Sequence, residues 1–393
     1  METAYRLVGA CLCIAVLTAC ASQSTISPAS SIFHPASGSP TQYNVHVRPN
    51  ISAEYVYVAN QSSNNVNAYK INSHGRLIPV TGSPFAAGAQ PCGLSVDDWG
   101  KFVYVANQNY PSPSGTVSAY KINTASGALA PVNGSPYTES DNPYIVAVDP
   151  RAGKFVYVTN IFSNDVSGYT IHQQSGALSL IAGSSFGASG EPEGIAVDPL
   201  GRFVFVADTE TNNISAYTID PATGALTQGA GSPFGAGTTP NSLAVDASGR
   251  FVYATNENSG NISAYTVDPT SGSLTQIAGS PYSVTGAPNG VTVDPSGRFA
   301  YVTIGGPDGV AAYTIDQGSG ALTAVAGSPF AAGTGPEHVA ADPAGNFLYV
   351  SNAGSDNVSG YAINQTSGAL TTVPHSPFAA GTTPFAIAVW GAQ

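Results

Sequence analysis

The chain has 393 residues, 9 % charged and 42 % hydrophobic, with 20 tyrosines and 15 phenylalanines. That apolar content excludes a disordered chain, and 44 glycines, 29 prolines and a single methionine favour an all-β protein over a helical one. A net charge of −12 repels phosphate backbones and excludes nucleic acid as a partner.

Residues 1–19 read as a signal peptide. Arg6 gives a short basic start, and Leu7 to Leu17 give an apolar stretch too short to span a bilayer as a helix. Leu17-Thr18-Ala19-Cys20 follows. This tetrapeptide resembles the bacterial lipobox, which implies a lipidated Cys20 as the mature N-terminus; the alternative is an ordinary secretory cleavage near Ala19 or Ala21. A lipid there makes the membrane a partner, since each buried CH₂ contributes about 0.8 kcal/mol. Ala21 after the cysteine resembles the outer-membrane sorting pattern, so the expected location is the bacterial cell envelope. Residues 20–42 form the anchored tether: positions 21–42 are rich in Ser, Pro and Ala and contain no Lys, Arg, Asp or Glu. With Cys11 and Cys13 lost in the leader and Cys20 lipidated, Cys92 is expected to be the lone cysteine of the folded part.

Residues 43–393 are the folded part, and they repeat. The serines of a Gly-Ser-Pro-Phe landmark are Ser83, Ser135, Ser184, Ser232, Ser280, Ser328 and Ser376, mostly 48 residues apart. A Tyr-Val-Ala-Asn landmark recurs as often, from Tyr57–Asn60 to Tyr349–Asn352. Repeats of this length with several short strands each are propeller blades, so the expected fold is an all-β propeller of seven blades, four antiparallel strands in each.

The unit beginning at Glu193 displays the parts in order. Residues 194–198 form a short inner strand and 198–202 a turn. Residues 203–207 and 213–219 are the second and third strands, and 225–229 the outer one. Gly231-Ser232-Pro233-Phe234 then starts the crossing to the next blade. Its recurrent aromatic (Phe85, Tyr137, Phe186, Phe234, Tyr282, Phe330, Phe378) is expected to plug the seam between blades. Asp97, Asp149, Asp198, Asp246, Asp294 and Asp342 read as turn caps, and the Asn60, Asn107, Asn160, Asn256 and Asn352 series is read the same way. The turns carrying Lys101, Lys154, Arg202, Arg250 and Arg298 are expected to pair locally, away from the pocket rim. At the end of the chain, residues 385–390 form an inner strand without a blade. We expect it to close the ring in the first blade, in competition with residues 43–48.

Tyr157-Val158-Thr159-Asn160 is the signature of YVTN-repeat propellers. The whole unit resembles the seven-bladed lactonase family, which includes 6-phosphogluconolactonases and muconate cycloisomerases, over roughly residues 54–390. In that family the functional stretch looks like Pro-His-x-His in one blade, Asp-Leu-Gly after its second strand, then Gly-Pro-Arg-His and Asn-Glu-Leu in the next. Here Glu193 and Ile195 stand at the histidines, and Asn241 and Ser242 at Arg-His. Asp208 matches the aspartate, and Asn256-Glu257 matches Asn-Glu. Gly335-Pro336-Glu337-His338 is similar to Gly-Pro-Arg-His, two blades later and with glutamate for arginine. The acids are kept while the cations and imidazoles are not.

Propeller geometry places the residue after each crossing proline at one channel mouth: Cys92, Tyr144, Glu193, Asn241, Asn289, Glu337 and Phe385. We read Tyr144, Glu193, Asn241, Asn289 and Asp208 as candidate ligand-binding residues. His338, Glu257 and Glu337 are the candidate catalytic ones, a base or positioned water and an oxyanion donor being what lactone hydrolysis needs. No zinc spacing, Ser-His-Asp constellation or phosphate loop is present, and no cofactor can be named from the residues. The expected partners are a small molecule, a glycan or a protein bound by a monomer; the alternative is a lactone hydrolase acting on a non-phosphorylated lactone.

Overall fold

The computed structural model describes residues 54–112, 114–138, 142–151 and 153–391. The expected leader, tether, Cys20 and the segment 43–48 lie outside the described residues. No helix among the described residues is long and apolar enough to cross a membrane.

The described chain forms seven sheets in a ring. In the fourth blade, the inner strand Pro192–Val197 pairs with Phe203–Asp208, which pairs with Asn213–Ile219. All pairings are antiparallel. The inner strands sit around the axis, where neighbouring ones nearly touch. A Cβ placed on Gly194 would lie 2.8 Å from the carbonyl oxygen of Asn241 in the next blade. At this seam the glycine is needed for the close approach, whereas the third and seventh blades carry Ile145 and His338 at the equivalent position.

The outer edge differs from the single expected strand. Leu226–Gln228 pairs with the C-terminal half of the third strand and the two-residue Phe234–Gly235 with its N-terminal half. The break between them leaves Ser215 and Ala216 of the third strand without outer-strand partners. At Ala216, Gly229 N–H donates to the carbonyl at 2.8 Å, and the orphan N–H of Ala216 donates to Ser232 Oγ at 2.9 Å. Ser83, Ser135, Ser184, Ser280, Ser328 and Ser376 do the same in their blades. This explains the landmark serine: its hydroxyl replaces a missing backbone acceptor. Ser232→Ala leaves that buried N–H unpaired and should lower stability by about 1–3 kcal/mol in a denaturant titration. A loss below about 0.3 kcal/mol would refute this role.

The landmark aromatic, buried at Phe378 and half-buried elsewhere, packs on its own sheet and belongs to the apolar cluster shared with the next blade, as Tyr137, Tyr282, Phe330 and Phe378 show. A Cβ on Gly168 would lie 3.0 Å from Phe186, and one on Gly360 3.0 Å from Phe378, each pair within one sheet. The second strand fills the seam as well. Phe155 lies under the turn of the next blade, where a Cβ on Gly224 (φ +77) would come within 2.5 Å of its ring. Two residues on, Tyr157 Oη donates to the Gly224 carbonyl at 2.8 Å. Tyr57, Tyr104, Tyr253, Tyr301 and Tyr349 repeat that bond at their own seams. Tyr349 makes it across the ring closure, to Gly75.

Closure is as expected. Pro384–Trp390 is the inner strand of the first blade, pairing with Glu54–Asn60 from Tyr55 opposite Trp390 to Ala59 opposite Ala386. Phe385, Ile387 and Trp390 are buried, and the Trp390 ring lies parallel to Tyr55 at 6.3 Å.

The expected turn caps are present. Asp246 Oδ1 accepts the N–H groups of Arg250 and Phe251, both at 2.7 Å. Three of the Asn series do something else: Asn60, Asn107 and Asn256 anchor the crossing. Asn256 Oδ1 accepts Gly237 N–H from the incoming segment at 3.1 Å, and its Nδ2 donates to Ser263 Oγ at 2.9 Å. Cys92 is fully buried in the inner strand Pro91–Val96 of the second blade. The chain's other cysteines lie outside the described residues.

Candidate functional site

Every inner strand begins at one end of the ring, and every second strand ends there. Register breaks at the start of each inner strand, as between Pro192 and Ile195 and between Pro336 and Val339. A bulge of this kind frees a residue from the ladder and re-aims its side chain. The residues so placed are those expected at the mouth.

Their surroundings divide them. Phe385 and Cys92 are fully buried, and Tyr144 and Asn289 nearly so. Asn241 is buried with both ends of its amide engaged: Nδ2 donates to Pro288 O at 3.3 Å, and Oδ1 accepts Thr255 Oγ1 at 2.8 Å. Asn289 Nδ2 donates to Pro336 O at 3.0 Å. These two amides tie the inner strand of the fifth blade to that of the sixth, and the sixth to the seventh. Glu193 and Glu337 are the members of this ring that keep partial exposure. Their backbones are held by hydroxyls of the preceding blade, Thr159 Oγ1 to Glu193 O at 3.2 Å and Thr303 Oγ1 to Glu337 O at 2.6 Å.

Glu257 follows the second strand of the fifth blade, its N–H donating to Thr239 O at 2.9 Å. It faces both other glutamates. Burial, then Glu257, raises the Glu337 carboxyl to about 8. Burial, then Glu257 and Glu191, holds Glu193 well above the usual carboxylate range, and Glu337 adds to this. Burial raises Glu257 as well. Near neutral pH Glu337 is therefore mostly a carboxylic acid, able to donate a hydrogen bond. Its Oε2 is buried with no hydrogen-bond partner.

His338 lies beneath the mouth, almost wholly buried, with its ring 5.1 Å from that of Phe385. Its backbone N–H donates to Ser351 Oγ at 3.1 Å. Asp208 occupies a position that is asparagine in five other blades and Ile304 in the sixth. It accepts Ser215 Oγ at 2.7 Å and Ser189 N–H at 3.2 Å, and burial raises it to about 6 against those bonds. The mouth thus brings Glu193, Glu257 and Glu337 together. No group of three His, Cys, Asp or Glu among the described residues is close enough to hold one metal ion.

Carboxylates stand at both ends of the ring, but the described cations stand at one. Of the chain's 11 Lys and Arg, Arg6 and Arg48 lie outside the described residues. The other nine (11 − 2) all stand at or near the far end, in the turns after the inner strands or around the ends of the third strands. Arg202, for instance, pairs with Asp198 at 2.8 Å and covers the Phe203 ring. Sequence reading had placed the turn cations away from the rim. It did not foresee that every described cation would be there, because that requires knowing which end each strand terminus reaches.

The profile of the family described as "Lactonase, 7-bladed beta-propeller" matches residues 23–148, 145–235, 233–287 and 277–386, which is most of the chain. The chain belongs to that lactonase family. None of the curated proteins searched matches it. Similar solved structures include a putative 6-phosphogluconolactonase from Bacteroides uniformis, 21 % identical, with a TM-score of 0.75 over 86 % of this chain and 99 % of that one. A Pseudomonas aeruginosa periplasmic gluconolactonase is 20 % identical, with a TM-score of 0.74 over 87 % of this chain and all of the other (100 %). At these identities the likeness is one of fold.

Proposed function

We propose that this lactonase-family propeller is a ligand-binding module, tethered to the cell envelope through Cys20, whose acidic mouth takes a neutral or cationic small molecule. The observation that carries this reading is the mouth itself: Glu193, Glu257 and Glu337 converge there, and every described cation stands at or near the other end. A phosphorylated lactone needs cations. Here each ionised carboxylate at ~10 Å would oppose each phosphate charge by about 1–2 kcal/mol at an effective dielectric near 20.

A second reading, hydrolysis of a non-phosphorylated lactone, draws support from Glu337. A carboxylic acid with an unpartnered oxygen could donate to a developing oxyanion. Acid release from phosphorylated and neutral lactones separates the two. We expect no turnover of 6-phosphogluconolactone by the wild-type protein. Turnover of it, lost in Glu257→Gln or His338→Ala, would overturn the binding reading. Turnover of a neutral lactone, lost in Glu337→Gln, would establish the second reading.

A further inference from the structure

The rim of the mouth carries an aromatic pair that the packing of the fold does not use. Tyr110 and Phe162 are 49 % and 50 % exposed, although both are large apolar side chains. Their rings meet edge-on at 6.3 Å. Tyr110 is presented by the connection between the second and third strands of the second blade, residues 108–115, which is twice the length of its counterpart 61–64 in the first blade. Asn142, in the next crossing, holds this longer connection by donating to Ser112 O at 3.2 Å. Phe162 lies in the equivalent connection of the third blade, at the same end of the ring.

The pair is continuous with the acids. Asn164, two residues after Phe162, accepts the backbone N–H of Glu191 on its Oδ1 at 2.7 Å. Glu191 in turn acts electrostatically on Glu193, which faces Glu257 and Glu337. A strip therefore runs from two exposed aromatic faces, through an exposed carboxylate, to three clustered ones. The acids do not converge tightly enough for one metal ion. They are spread, and the inner one has a buried oxygen without a partner. Ring faces attract organic cations, most strongly where the cation sheds water. Carboxylates at intervals suit protonated amines at intervals.

We propose that the mouth binds an extended organic ammonium compound, with an ammonium group among Glu193, Glu257 and Glu337 and its carbon-bound remainder against Tyr110 and Phe162. This rests on the reading of the mouth as a binding site and names the class of its ligand. Neither lactone chemistry nor family membership calls for it.

Calorimetric titration of the purified full-length protein with spermidine, and in parallel with glucose and gluconolactone, tests it at low salt and pH 8. Spermidine should bind, and the two neutral compounds should bind at least ten-fold more weakly. Glu337→Gln and Glu193→Gln should each weaken spermidine ten-fold or more. Phe162→Ala should weaken it about two- to five-fold. The net charge of −12 could attract any polycation without a site. The control is Asp220→Asn/Asp268→Asn/Asp316→Asn, which removes three far-end charges. Asparagine already fills the matching turn position at Asn123 and Asn364, so this variant keeps its fold. Its affinity should stay within two-fold of wild type, and a loss as large as that of the mouth variants would overturn the proposal. Binding of glucose or gluconolactone that the mouth substitutions abolish, with no spermidine binding, would overturn the ammonium assignment and keep the mouth as a site. If no probe responds to the mouth substitutions, both readings fail. Thermal melts of Glu337→Gln and Glu193→Gln, expected to match wild type at pH 5, separate lost binding from lost folding.

Discussion

Deleting residues 384–391 will cost the protein most of its stability and the single cooperative unfolding transition. The deletion removes the inner strand of the first blade and exposes the whole inner edge of Glu54–Asn60. It also strips Phe385, Ile387 and Trp390 from the core, each worth about 1.5–3 kcal/mol by burial alone. Trp390 reaches further than its own sheet. A Cβ on Gly100, in the first turn of the second blade, would fall inside the Trp390 indole, so this ring also holds the first two blades together. The sum, about 5–9 kcal/mol, is comparable to the whole stability of an ordinary domain. Chemical denaturation followed by circular dichroism should show a broad, early transition, and the bare edge should promote aggregation. Deleting residues 21–42 should leave the midpoint unchanged. If the two truncations unfold alike, the C-terminal strand does not close the ring.

Stability should fall as pH rises from about 5 to 8.5, the reverse of the acid lability common in proteins with well-paired carboxylates. The sign follows from the mouth. Glu337 is raised from 4.5 to about 8 by burial and by Glu257. Between those values the folded state holds a proton that the unfolded chain has released, so unfolding is favoured as pH increases. The contribution is complete below the unfolded value and is lost as pH passes the folded one. Burial shifts Glu193 in the same direction, with Glu257, Glu191 and Glu337 adding to it, and Glu54, at the far end, is raised to about 7 by burial and Asp342. The mouth alone should supply on the order of a few kcal/mol across this window. Glu337→Gln, a permanent mimic of the protonated acid, should flatten the dependence and raise the melting temperature at pH 8.5 by several degrees. A wild-type melting temperature that is flat over this range, or an unchanged slope in the variant, would show that the mouth carboxylates are better solvated or paired than their geometry indicates.

Much of the site could be located from the repeats, and its chemistry much less. The residue after each crossing proline recurs at a fixed place in every repeat, so Glu193 and Glu337 are marked once a propeller is recognised. Asn241 occupies an equivalent position, yet its amide is buried and committed to Pro288 and Thr255. Whether a side chain faces solvent or the adjoining strand depends on a bulge and on its neighbour's size, and neither has a signature in one repeat. His338 is a similar case: adjacent in sequence to a mouth residue, it turns the other way and packs on Phe385. Tyr110 and Phe162 drew no notice from sequence because each is a single aromatic in an irregular connection. Only the ring geometry brings the two connections side by side.

The amino-acid sequence by itself determined the number of blades, the strand order within each, the turn caps and the strand that closes the ring. These follow from short-range rules repeated seven times: alternation, turn chemistry, and an orphan strand with nowhere else to pair. The tertiary structure decided what each repeated residue is for. It made the landmark serine the acceptor for an N–H left by a broken outer strand, and added Phe155 and Tyr157 to the seam beside the Gly-Ser-Pro aromatic. It also gathered carboxylates from the fourth, fifth and seventh blades into one mouth. Those glutamates are separated by 64 and 80 residues along the chain, so no local pattern relates them. Their mutual repulsion and shared burial exist only when the ring is closed.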